Sequence, residues 1–129
     1  MLSNAPILAI VPTTDITRAQ AFYGETLGLT DAKVSTPGPQ VFYRCGGGTH
    51  LEVYERPTAD QAQHTLASWG VSDVRAVVNE LRGRGVRFED YDFPALKTDD
   101  GVATTGDFQE AWFRDPDGNI LRIHSQIQI

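Results

Sequence analysis

A chain of 129 residues is long enough for one domain, or for two small halves, each with a modest core. Its formal charge of −6 supplies no basic stripe, which argues against nucleic-acid and anionic-membrane partners. Cys45 is the single cysteine, so neither an internal disulfide nor a thiolate metal cluster is possible within one chain. It precedes Gly46-Gly47-Gly48 with little cationic company, as a structural thiol rather than a nucleophile does. The first residues lack a basic segment followed by an apolar core, and no stretch reaches membrane-spanning length. The expected location is cytoplasmic.

Ile7–Val11, bounded by Pro6 and Pro12, has the length of a strand. Thr13-Thr14-Asp15 offers side-chain oxygens to a helix start, and Ile16, Ala19, Tyr23 and Leu27 follow at helical spacing. Gly28 is placed to close that helix. A strand over 29–34, a loop at 36–39 and a hairpin, 41–44 with 49–55, come next. The three glycines lie between two strands rather than before a helix, so they read as a turn and not as a phosphate loop. Residues 56–63 are polar, lack a strand pattern and read as a linker.

The pattern then restarts. His64–Trp69 reads as a strand and Ser72-Asp73 as a cap. Val74, Val77, Val78 and Leu81 form an i, i+3, i+4, i+7 helix face, ended by Gly83 and Gly85. A strand over 86–91 is expected, followed by a long insertion, 92–109, of the kind that often forms a lid or binding loop. Tyr91 and Phe93 are its candidates for closing over a site or anchoring the loop. Ala111–Ile123 completes the chain as strand, tight turn and strand, reversing at Asp115-Pro116-Asp117-Gly118-Asn119. That hairpin has a degenerate copy near 41–53, and the strand, cap and helix also repeat. The chain thus reads as two βαβββ modules, about 5–56 and about 64–129, in one domain spanning 1–129.

Phe22-Tyr23, Leu27-Gly28-Leu29, Leu81-Arg82-Gly83-Arg84-Gly85-Val86 and the closing Asp115–Asn119 turn give the chain a resemblance to the vicinal oxygen chelate superfamily. That superfamily includes glyoxalase I, bleomycin-resistance proteins, fosfomycin-resistance enzymes and extradiol dioxygenases. The resemblance implies an α+β fold in which two βαβββ modules form a curled mixed-sheet cup, and it implies a homodimer. It also implies metal ligands on the first and last strands of each module, at Leu8 and Glu52 and at Leu66 and Arg122. Of these four, only Glu52 is a competent donor. No metal or other cofactor is therefore expected at the usual place. Because strand side chains alternate, a shifted divalent-metal set of His50, Glu52, His64 and His124 is the alternative.

In the family's place for a cation, Glu52 and Arg122 suggest a carboxylate–guanidinium pair, holding either each other or a ligand. Alternation adds Tyr54 and Ser68 to the inner face, and places His124 there with Arg122. Phe113 joins them if the closing turn occupies four residues, and Tyr43 follows by the repeat. Trp69 falls on the opposite parity, toward the helix. With Leu8 and Leu66 this makes an aromatic-walled cup with few polar groups, suited to a small molecule. The sequence carries no signature of nucleophilic catalysis. A small-molecule-binding protein is expected, the alternatives being a metal-dependent lyase or dioxygenase with unusual ligands and a metal-free enzyme using Glu52 as base.

Overall fold

The computed structural model describes residues 1–35, 39–58 and 60–127. The chain divides into two compact units, Met1–Asp60 and Gln61–Ile129, each with its own sheet and helix. Together they make an α+β fold of two mixed sheets with few helices.

In the first unit, β1 (Ala9–Thr13), β2 (Thr30–Ser35), β3 (Gln40–Arg44) and β4 (His50–Glu55) form a sheet in the order β1-β4-β3-β2. β1 runs parallel to β4, and the other pairs are antiparallel. The helix α1 (Ile16–Gln20) starts where the sequence predicts, with the Asp15 carboxylate accepting from Arg18 N at 3.1 Å. Glu55 adds a second acceptor for its first turn, taking Ile16 N at 2.8 Å. The helix does not continue to Leu27 in α form. It widens into a π-helix over Ala21–Thr26, in which Leu27 N reaches back to the carbonyl of Phe22. Gly28, at φ 75°, then turns the chain toward β2.

Val11, Val41, Tyr43, Leu51 and Val53 form the buried face of this sheet, packed beneath Ala19 and Tyr23. Tyr43 is only 2% exposed, with its ring 6.4 Å from that of Tyr23. Its expected place on the inner face is therefore corrected: it belongs to the core under the helix.

The second unit holds β5 (Thr65–Val71), α2 (Val74–Gly83), β6 (Asp92–Phe93), β7 (Leu96–Asp99), β8 (Val102–Thr105), β9 (Phe108–Arg114) and β10 (Ile120–Ser125). Their order in the sheet is β5-β10-β9-β8-β7-β6. Asp73 caps α2 by accepting from Ala76 N at 3.0 Å, and Val74, Val78 and Leu81 bury one face of the helix. Two expectations fail here. Residues 86–91 form no strand beyond a single bridge, Phe88 to Phe113. The stretch 92–109 is no loop but a meander, β6 to β8 and the start of β9. Its backbone groups satisfy one another by extending the sheet, which spares an eighteen-residue loop of unpaired amides.

The closing turn is built by Asp115, whose carboxylate accepts from Asp117 N and Asn119 N at 2.9 Å and from the Asn119 side chain at 2.8 Å. β9 ends at Arg114 and β10 begins at Ile120, so the connection takes five residues, not four. That extra residue reverses the expected parity. Phe113 pairs with Leu121 and lies in the helix-side core, 1% exposed, against Trp69 at 6.4 Å and Phe88 at 5.4 Å. Its expected inner placement is corrected, whereas Trp69 lies on the helix side against Phe113, as its parity predicts. No helix among the described residues is long and apolar enough to cross a membrane.

Candidate functional site

Each sheet has one face packed under its helix and one face turned away from it. In the first unit the far face carries Phe42 and Tyr54 with Glu52, alongside Ile10 of β1, which pairs with Glu52. Leu8 lies just before β1 and is 38% exposed. His50 is exposed, opposite Arg44 in the β3–β4 ladder. Glu52 and Tyr54 thus share a face, as alternation predicts.

The second unit brings a denser constellation together. β10 presents Arg122 and His124 two residues apart, β5 presents Ser68 beside Arg122, and β9 presents Glu110 opposite His124. Arg122 Nη1 donates to Glu110 Oε1 at 2.5 Å, and Arg122 Nε donates to Ser68 Oγ at 2.9 Å. Ser68 Oγ lies 2.5 Å from His124 Nδ1. A guanidinium Nε–H can only donate, so Ser68 accepts there; toward His124 the hydroxyl donates to Nδ1 or accepts from Nδ1–H according to the imidazole tautomer. The four side chains make one continuous line: Glu110, Arg122, Ser68, His124.

The charges of this line are matched. Side chains of Arg122 and Glu110 are 27% and 19% exposed, so the pair is partly withdrawn from water. Burial holds the His124 imidazole below its ordinary value of 6.5, and the neighbouring Arg122 charge acts in the same direction against a smaller opposing pull from Glu110. Gly70, paired with His124 in the ladder, leaves room for the ring: a Cβ there would stand 3.3 Å from Nε2. Aromatic rings flank the polar line. Phe108 lies 6.1 Å from His124, and Trp112 sits across the ladder from Arg122. The Trp112 indole donates to Thr65 Oγ1 at 3.2 Å and meets Tyr91 edge-on at 5.6 Å, with Phe93 stacked beyond at 6.0 Å.

Glu110, Trp112 and Phe108 were not among the residues singled out from sequence. Counting back from the Asp115 turn with a five-residue connection would have placed Glu110 and Trp112 opposite His124 and Arg122. The four-residue turn put Trp112 on the other face, and the loop read over 92–109 concealed Phe108.

In the second unit the positions implied for a metal, Leu66 and Arg122, do not suit one. Leu66 falls at a register shift in β5, where Ile120 pairs with Thr65 and Leu121 with Ala67, and it has no donor atom in any case. Arg122 is a cation already engaged by Glu110 and Ser68. The shifted set fares no better within this unit. His64 precedes β5 and contacts the Thr65 carbonyl, whereas His124 pairs with Gly70. The five steps from Thr65 to Gly70 alone span about 16 Å. Two histidines so far apart cannot share one ion. Among the described residues, no three His, Cys, Asp or Glu side chains cluster as a metal site would require.

A model of the Glyoxalase/Bleomycin resistance protein/Dioxygenase superfamily matches residues 7–123 of the chain. Among solved structures, a glyoxalase/bleomycin resistance protein from Streptomyces sp. CB03234 shares 26% identity at a TM-score of 0.69, over 94% of this chain and 100% of that one. TnmS3, an antibiotic binding protein from the same strain, shares 24% at a TM-score of 0.66, over 98% of this chain and 99% of that one. The fosfomycin resistance protein FosX from Listeria monocytogenes shares 12% at a TM-score of 0.68, over 100% of this chain and 95% of that one. No curated protein matches the sequence.

Proposed function

The chain belongs to the glyoxalase/bleomycin resistance protein/dioxygenase superfamily, and on that premise we propose that it is a small-molecule-binding protein that works without the superfamily's metal. The carrying observation is Arg122. It stands where the resemblance calls for a metal-binding carboxylate, and it is held by Glu110 and Ser68. A fixed guanidinium with aromatic neighbours is a recognition device: it orients a polar group while flat rings cover an apolar body. The antibiotic-binding function of TnmS3 shows what a protein of this fold can do and adds weight to binding over catalysis. The protein acts in the cytoplasm as a homodimer in this reading, and its ligand is a small organic molecule rather than a nucleic acid or a membrane.

Elemental analysis of protein purified without a metal-affinity tag tests the metal-free reading. The expected result is no stoichiometric metal, and no rise in melting temperature when Ni, Zn, Mn or Fe is added. About one ion per chain, with a melting temperature that falls on chelation, would instead support a lyase or dioxygenase with an unusual ligand set.

A further inference from the structure

The donors and acceptors left over in the second unit define what the site asks of a ligand. Among the described residues, Nη2 of Arg122, Nε2 of His124 and Oε2 of Glu110 take no hydrogen bond. Nη2 is a donor and Oε2 an acceptor, while the role of Nε2 follows the His124 tautomer. Because Glu110 grips Arg122 directly, the free N–H and the free carboxylate oxygen belong to one ion pair. The face also lacks an unmatched charge. Arg114, the other arginine that β9 and β10 place on this side, is bound by Glu89 at 2.8 Å. A carboxylate or ammonium brought here would lose water without gaining a free counter-charge, which is the costly case for a charge in a half-buried site.

We infer that this face selects uncharged aromatic ligands with an amide-like head over aromatic carboxylates and amines, and that Glu110 is the residue setting this preference. An amide offers a carbonyl to Arg122 and an adjacent N–H to Glu110, matching the donor and the acceptor of that pair. Trp112 and Phe108, on the same face, take the ring of the ligand. Without the Glu110 charge, Arg122 becomes an unmatched cation and the preference moves to carboxylates. Without the Arg122 charge, Glu110 becomes an unmatched anion and the preference moves to amines.

The inference rests on the binding reading above, and the experiment separates the two. Full-length ¹⁵N-labelled protein is titrated at pH 7.5 with benzamide, benzoate and benzylamine, following the Trp112 indole N–H resonance. Benzamide is expected to bind more tightly than either charged probe by about fivefold, the factor that roughly 1 kcal/mol produces. Glu110→Gln is expected to put benzoate first, and Arg122→Gln to put benzylamine first. Benzoate or benzylamine equalling benzamide on the unaltered protein overturns the selectivity, and that ranking needs no variant to fold. An unchanged ranking in folded Glu110→Gln overturns the role of Glu110. Silence of this face toward all three probes overturns the inference and counts against the binding reading beneath it.

Discussion

Arg122 and Ser68 face each other across the parallel β5–β10 pair, and the guanidinium Nε donates to the serine hydroxyl at 2.9 Å. Ser68 accepts at this contact, and its hydroxyl joins the guanidinium to the His124 imidazole. Arg122 is in turn oriented by Glu110 from the neighbouring strand. A site assembled from three adjacent strands of one sheet is rigid, which suits recognition of a fixed ligand shape.

Ser68→Ala removes the centre of the line and leaves Arg122 Nε and His124 Nδ1 without their partner. Stability is expected to fall by about 1–2 kcal/mol, the usual cost of part-buried polar groups losing a hydrogen bond. Urea unfolding measures it, and an unchanged midpoint would show that the line is not formed in solution.

Glu110→Gln and Arg122→Gln should each destabilise the fold by about 1–2 kcal/mol, while the double variant loses less than their sum by about 1 kcal/mol. A double-mutant cycle from denaturant midpoints measures that coupling. Strict additivity would contradict the ion pair.

His124 gives the fold a pH dependence with a definite sign. Its folded-state value lies below 6.5, so as the pH drops through 6.5 the unfolded chain takes up a proton that the native protein refuses. The stability tied to neutral His124 is full above 6.5 and is lost as the pH falls from there through the folded-state value. The groups facing the ring are Ser68 and Gly70 of β5, Glu110 and Phe108 of β9, and Arg122 of β10, of which only Glu110 favours the proton. A His124→Gln variant should show a flatter melting temperature across this window. A His124 titration at or above 6.5 by NMR would reverse the sign.

Gly70→Ala tests the packing of that ring. The new Cβ would approach Nε2 to 3.3 Å, and the ring must yield or lose its alignment with Ser68. The His124 titration is expected to move toward 6.5, with a stability change below about 1 kcal/mol. No movement would mean that the ring already has room to spare.

The parts of the fold set by local chemistry were legible in the sequence. Asp15 and Asp73 cap the helices they precede, and Trp69 packs on the helix side as its parity predicts. The grouping of Ser68, Arg122 and His124 followed from the positions the resemblance implies together with strand alternation, because all three lie on adjacent strands past the register shift at Leu66. Tyr43 and Phe113 were misplaced because one residue in a turn decides the face of every residue after it. Phe108 was invisible for a different reason. Thr98-Asp99-Asp100-Gly101 and Thr104-Thr105-Gly106-Asp107 look like loop in composition, and only pairing with β9 makes short strands of the residues around them. Long-range pairing of this kind leaves no local signature.

The most direct measurement is an aromatic-probe titration of the tag-free protein, followed by ¹H–¹⁵N NMR with and without excess chelator. The account predicts shifts centred on Ser68, Glu110, Trp112, Arg122 and His124, the same affinity with chelator present, and their loss in Arg122→Ala. Binding that appears only when a divalent metal is added, or that bypasses these residues, would contradict it.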